Sequence, residues 1–167
     1  MKLSRLFALL LALMLCMGCI AQAEADDKAP DITVVDADGN EVKLSDCLTG
    51  LPVVMNVWAS WCPPCVAELE HFEKAVQEYE GRLAFMMVNL TDGEYETVEG
   101  AKAFIDQNGY TFPLYFDVLG EVSGTYVGQY IPITWFFNAD GTVLGYYEGG
   151  MDEDTLQYCL NLLLEGE

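Results

Sequence analysis

The chain has 167 residues, with 7 Lys or Arg against 27 Asp or Glu and a net charge of −20, so it lacks the basic footprint that nucleic-acid binding needs. Its apolar fraction of 52% and aromatic fraction of 12% are too high for a disordered acidic chain. The length suits one domain of about 100–200 residues, whose core needs no disulfide framework to fold.

Lys2 and Arg5 precede a charge-free run over residues 6–21, and the first acid is Glu24. A basic start, a short apolar run and small residues after it read as an export signal. The run is shorter than the ~18 apolar residues of a spanning helix, which leaves an uncleaved anchor as the alternative. Two processing sites compete. Leu15-Cys16-Met17-Gly18-Cys19 has the form of a bacterial lipoprotein box with Cys19 as the lipid-bearing residue, although Cys16 stands where Leu is usual. Ala21-Gln22-Ala23 fits small-x-small cleavage before Glu24. The lipoprotein reading divides the chain into a signal peptide over 1–18, a polar acidic linker over 19–30 and a domain over 31–165. Cys16 and Cys19 also spell C-x-x-C, but they belong to the leader.

Beyond the linker the pattern is mixed α and β, without internal repeats. Apolar-rich segments at 32–35 and 41–44 flank Asp36-Ala37-Asp38-Gly39-Asn40, a hairpin signal. Residues 52–59, PVVMNVWA, are apolar almost throughout, as expected of a strand buried on both faces. Residues 62–80 read as a helix, because Cys65, Leu69, Phe72, Val76 and Tyr79 recur at three- and four-residue spacing and Gly81 follows. Then come a second central strand over 83–90, a helix over 97–108 closed by Gly109, and a strand over 112–117. A short helical stretch near 118–127, strands over 133–138 and 142–147 about Ala139-Asp140-Gly141, and a helix over 152–164 complete the domain. This order implies an α/β fold with a central mixed sheet covered on both faces by helices.

The chemistry falls where the buried strand meets the first long helix, at Trp58-Ala59-Ser60-Trp61-Cys62-Pro63-Pro64-Cys65. Two thiols three residues apart at a helix start can close a disulfide. The first faces the positive end of the helix dipole, which lowers its pKa and makes it the attacking thiolate. Pro63 and Pro64 suit a first turn, where backbone N–H groups have no helical partner. A bare C-x-x-C is equally compatible with half a zinc site; its setting after an apolar strand, with flanking Trp, favours dithiol chemistry.

These residues resemble the thioredoxin fold, and specifically the TlpA/ResA-like branch of extracytoplasmic thiol-disulfide oxidoreductases. The resemblance runs over about residues 29–164. It rests on Ala29-Pro30-Asp31-Ile32-Thr33, Asp38-Gly39, Leu44-Ser45-Asp46, the segment from Asn56 to Cys65, Glu68, Thr111-Phe112-Pro113, Ile131-Pro132 and Asp140-Gly141. Residues 90–127 are similar to the insertion that sets this branch apart, and the N-terminal hairpin belongs to the same pattern. Val66 stands where the family commonly has a basic residue and Glu70 where it commonly has Pro. Asn56 occupies the place of the buried Asp of thioredoxins, and an amide cannot carry a proton for the thiols.

Glu68 is the candidate for that role. It lies about 60° around the helix from Cys65 and about 40° from Phe72, on the shoulder of the apolar face. A partly desolvated carboxylate there would have a raised pKa and could take the proton of Cys65; the plain alternative is a surface Glu beside Glu70, Glu73 and Glu78. The resemblance implies that Pro132 is cis and faces the dithiol, with the backbone of Ile131 pairing with a substrate strand. Trp61 and Pro63 are candidates for the substrate rim, while Trp58 reads as rim or core. His71 points away from the apolar stripe and reads as a solvated helix residue.

Cys159 falls on the stripe Leu156, Cys159, Leu160, Leu163 and reads as a buried small hydrophobe. Cys47 sits among inward-packing residues. An exported protein permits a bridge between the two, and spacing alone leaves this open.

Three other functions compete. A copper chaperone would need a distant His, whereas His71 lies on the active-site helix itself, and a zinc module would need a second ligand pair. A peroxiredoxin-type peroxidase shares the opening of the domain but needs Pro and Thr ahead of its reactive Cys, and neither stands between Val53 and Trp61. The reading is therefore an extracytoplasmic oxidoreductase acting on protein disulfides through Cys62, Cys65 and Glu68, with no cofactor beyond its own cysteines; metal binding or an oxidase or isomerase role is the alternative. A membrane electron donor of the CcdA/DsbD kind is implied by the resemblance. Pro63 and Pro64 bring the sulfur neither positive charge nor N–H, and acids dominate the chain, so the disulfide is expected to be the stabler form and the protein an electron donor.

Overall fold

The computed structural model describes residues 28–166. The expected signal segment, Cys19 with its expected lipidation, and most of the expected linker lie outside the described residues. The elements in chain order are β1 (Thr33–Asp36), β2 (Glu41–Lys43), α1 (Leu44–Cys47), β3 (Val53–Trp58), α2 (Pro63–Glu78) and β4 (Ala84–Asn89). They continue with α3 (Val98–Asn108), β5 (Leu114–Phe116), α4 (Glu121–Thr125), β6 (Ile133–Phe137), β7 (Val143–Glu148) and α5 (Glu153–Glu165).

The strands form one seven-stranded sheet in the order β2-β1-β5-β4-β3-β6-β7. β3 runs parallel to β4 and antiparallel to β6, and it is central, so all six of its residues are buried. That burial is why 52–59 carries no polar alternation: both pleat faces meet helices. Val54 and Trp58 look towards α2, α3 and α5, where Leu69, Phe72, Ile105 and Leu160 pack. Val53, Met55 and Val57 look the other way, towards α1, α4 and the N-terminal hairpin, with Leu44, Val122 and Tyr126. The sequence expectation of a mixed sheet with helices on both faces holds.

Helix limits move by one or two residues, each for a capping reason. Cys62 is the N-cap of α2 rather than its first residue, with extended φ −95° and ψ 104°, so Pro63 and Pro64 fill the first two helical positions. Thr97 likewise caps α3 through its side chain, and Gly109 closes that helix at φ 72°, which a side chain would resist.

Two sequence readings of cysteine change. Cys47 and Cys159 are free thiols on opposite sides of the sheet, so the domain has no bridge between them. Cys159 is half-buried rather than buried, because it lies at the margin of the α5 apolar face while Leu156, Leu160 and Leu163 take its centre.

Candidate active site

β3 delivers the chain into a turn at Ala59-Ser60-Trp61, and α2 starts at its end. Cys62 and Cys65 are joined by a disulfide, their Cα atoms 5.3 Å apart. Cys65 is fully buried and Cys62 only 4% exposed. As N-cap, Cys62 Sγ accepts the N–H of Cys65 at 3.3 Å. The two prolines supply no N–H to the sulfur, as expected, but Cys65, the first residue beyond them, does. A thiolate on Cys62 would keep this donor and the positive end of α2.

The Ile131–Pro132 peptide bond is cis. Ile131 presents its carbonyl oxygen 3.7 Å from Cys62 Sγ, and Pro132 is buried behind it. The structure thus brings Cys62, Ile131 and Pro132 to one place, with Trp61 and Pro63 exposed beside them. Trp58 is core: it is fully buried and tilts against Phe104 at 5.9 Å. Glu70, where the family commonly has Pro, is an exposed helix residue paired with Lys74 at 3.3 Å.

Three residues after Cys65 lies Glu68, only 1% exposed. Asn56 Nδ2 donates to its Oε1 at 2.8 Å and to Thr134 Oγ1 at 3.0 Å, while Met151 N–H donates to its Oε2 at 2.8 Å. Burial opposes the charge more strongly than these two donors favour it, and the carboxyl is pushed up to about 7. A carboxyl that titrates near neutrality, one helical turn from a buried thiol, can accept and return a proton.

His71 differs from the solvated residue expected of it. It is half-buried, and its Nδ1–H donates to the Met151 carbonyl at 3.1 Å. The segment Gly149-Gly150-Met151 folds back over the start of α2, with Gly149 N–H on the Pro132 carbonyl at 2.8 Å. Gly150 passes so close that a Cβ would stand 3.3 Å from the Pro64 carbonyl oxygen. One short segment therefore ties Pro132, Glu68 and His71 together.

Sequence reasoning also missed Glu96. Its carboxylate, 2% exposed, accepts from Ser60 N–H at 3.0 Å, Ser60 Oγ at 2.8 Å and Asn89 Nδ2 at 2.7 Å. It fixes the turn ahead of Trp61 and Cys62. Its one sequence signal is an acid directly before the Thr97 cap, which reads locally as a helix-start charge. Among the described residues no group of three or more His, Cys, Asp or Glu is arranged to hold a metal ion.

Comparison with known proteins fits this geometry. The model of the AhpC/TSA family matches residues 25–145, a span that contains the dithiol, Glu68 and Pro132. The chain is 31% identical to the thioredoxin-like protein YneN of Bacillus subtilis, over 81% of this chain and 78% of that one. It is 33% identical to the thiol-disulfide oxidoreductase ResA of Oceanobacillus iheyensis, over 81% of this chain and 70% of the relative. Among solved structures, StoA of Bacillus subtilis superposes with a TM-score of 0.66 at 25% identity, covering 77% of this chain and 95% of StoA. The exposed lipoprotein thioredoxin of Streptococcus pneumoniae superposes at 0.67 with 26% identity, covering 80% of this chain and all of that one.

Proposed function

Since the chain belongs to the AhpC/TSA family and its relatives are thiol-disulfide oxidoreductases, we propose that it reduces disulfides of protein clients outside the cytoplasm. The observation that carries this reading is the meeting of Cys62 Sγ, capped by the Cys65 N–H, with the Ile131 carbonyl in front of cis Pro132. A client strand laid along Ile131 would present its disulfide to Cys62.

In the reduced protein the Cys62 thiolate attacks one client sulfur. The client S–S bond breaks, a Cys62–client bond forms, and the other client sulfur leaves as a thiolate that takes a proton. Cys65 then passes its proton to Glu68 and attacks Cys62 Sγ. The Cys62–Cys65 disulfide forms, and the second client sulfur leaves. Two electrons pass to the client and the pair ends oxidised. Trp61 and Pro63 flank the client on the exposed side. A membrane electron-transfer partner of the CcdA/DsbD kind would return the pair to the dithiol.

Location outside the cytoplasm is supported by the basic, apolar and small-residue order of residues 1–23, and a lipid anchor at Cys19 by its box. The pneumococcal relative, itself an exposed lipoprotein, is in keeping with both. Trapping tests the whole reading. Cys65→Ser leaves the first step intact and blocks the second, so mixed disulfides with exported proteins should accumulate on Cys62. Their absence in cells that accumulate the variant, or their formation on cytoplasmic proteins alone, would overturn it.

A further inference from the structure

We propose that the groove lined by Trp61, Tyr95 and Asp92 receives a cationic side chain, Arg or Lys, that neighbours the client disulfide. The proposal rests on the reading of Cys62 as the thiol that attacks protein clients and names the clients it prefers: those whose disulfide lies in a basic segment.

The groove opens beside the residue that precedes Cys62. Its volume is about 450 Å³, and it is lined by Trp61, Asp92 and Tyr95. The two aromatic rings stand in solvent, 55% exposed at Trp61 and 79% at Tyr95, so both are open to a guest.

Its walls are fixed in advance. Asp92 Oδ1 accepts the N–H groups of Glu94, Tyr95 and Glu96 at 2.8, 2.7 and 2.9 Å. The buried Glu96 carboxylate then fastens this loop to Ser60, on the Trp61 side. Both rings are thereby carried on backbone that is already ordered, which lowers the entropy lost when a guest enters.

The chemistry of the lining selects the guest. The bonds to Asp92 hold its carboxyl below the usual carboxylate range, so it is charged. All three bonds fall on Oδ1. The faces of Trp and Tyr attract a cation through the ring quadrupole, and a carboxylate adds a charge-assisted hydrogen bond. An anionic guest would be repelled, and an apolar one would cover a carboxylate without pairing it. Three of the described cations have partners elsewhere: Lys74 with Glu70 and Glu153, Arg82 over the Tyr79 ring, and Lys102 on the Ala37 carbonyl.

The test uses three peptides, identical except that the residue flanking a single disulfide is Arg, Met or Glu. The reduced protein is mixed with each, and the rate of peptide reduction is followed at low and high salt. A preference of about fivefold to tenfold for Arg over Met is expected, weakening with salt. Asp92→Asn and Tyr95→Ala should each bring the Arg-over-Met ratio to within about twofold. Asp106→Asn, a distant exposed acid, should keep the preference, which separates the groove from the overall negative charge. Equal rates for Arg and Met, or a preference that survives Asp92→Asn, would overturn the groove assignment and leave the reductase reading standing. No reduction of any peptide would overturn both.

Discussion

Asn56 Nδ2 and Glu68 Oε1 are 2.8 Å apart, and both side chains are shut off from solvent. This bond ties the central strand to the active-site helix three residues after Cys65. It also explains how an amide can stand where thioredoxins have an acid. Asn56 cannot carry a proton, but it orients the carboxyl that can; burial pushes Glu68 up to about 7 against the opposing pull of the Met151 N–H and the Asn56 amide.

Glu68→Gln should therefore slow the second chemical step and spare the first. The amide keeps the shape but cannot take the Cys65 proton, so release of the second client thiol should fall on the order of 100-fold. Its rate profile should also lose the inflection near pH 7. Rapid-quench measurement on a preformed Cys62–client disulfide reads this step alone; an unchanged profile would make Glu68 a structural residue.

The same carboxyl predicts how stability depends on pH. Its folded pKa, about 7, lies above the ordinary value of 4.5, so between these pH values the folded protein holds a proton that the unfolded chain has released. Stability from this group is then full below about pH 4.5 and is lost as pH rises through about 7, a change of about 3 kcal/mol. Urea unfolding of the oxidised protein at pH 4.5, 6 and 8 should show the decline, and Glu68→Gln should flatten it. A wild-type slope of the opposite sign across this window, with the variant parallel to it, would contradict the assignment.

Cys62 should be the faster-alkylated thiol of the reduced pair. Its sulfur has the Cys65 N–H at 3.3 Å and the helix terminus, whereas Cys65 is fully buried inside the first turn. Iodoacetamide rates against pH should give a lower midpoint for Cys65→Ser, which retains Cys62, than for Cys62→Ser. The reverse order would place the nucleophile at Cys65.

These expectations mix what the sequence carries with what it hides. β3 is legible because a strand buried on both faces has no polar alternation, and Cys62 because a C-x-x-C follows it. Glu68 is half legible: the helical angle from Phe72 puts it on the shoulder of the core, but its burial is completed by Met151, 83 residues away. The same fold-back makes His71, outward-facing by helical angle, a partner of the Met151 carbonyl. Glu96 reaches Ser60 across 36 residues, and no local periodicity encodes such a contact.

Glu96→Ala should expose that hidden dependence. It strips the acceptor from the N–H and hydroxyl of half-buried Ser60 and from the amide of fully buried Asn89. Buried donors left unpaired cost about 1–3 kcal/mol each, partly recovered by relaxation, so a loss of about 2–4 kcal/mol in urea unfolding is expected. A loss below about 0.5 kcal/mol, the range of ordinary surface substitutions, would mean that the turn before Trp61 holds itself.

The direction of electron flow sets two local influences on Cys62 against each other. The Cys65 N–H and the start of α2 stabilise a thiolate and so raise the potential. Against them stand the uncharged Pro63 and Pro64 between the cysteines and a chain of 27 acids and 7 cations, whose field disfavours negative charge on sulfur. The N–H is a single neutral donor, and strong oxidants of the DsbA kind hold a far more stabilised thiolate. The potential should thus lie nearer the thioredoxin value of about −270 mV than the DsbA value of about −120 mV, a gap of roughly 7 kcal/mol for two electrons. Equilibration in a dithiothreitol series, read by the fraction of the Cys62–Cys65 pair that resists alkylation, measures it. A value more positive than about −180 mV, the potential of protein disulfide isomerase, would reverse the direction and make the protein an oxidase or isomerase.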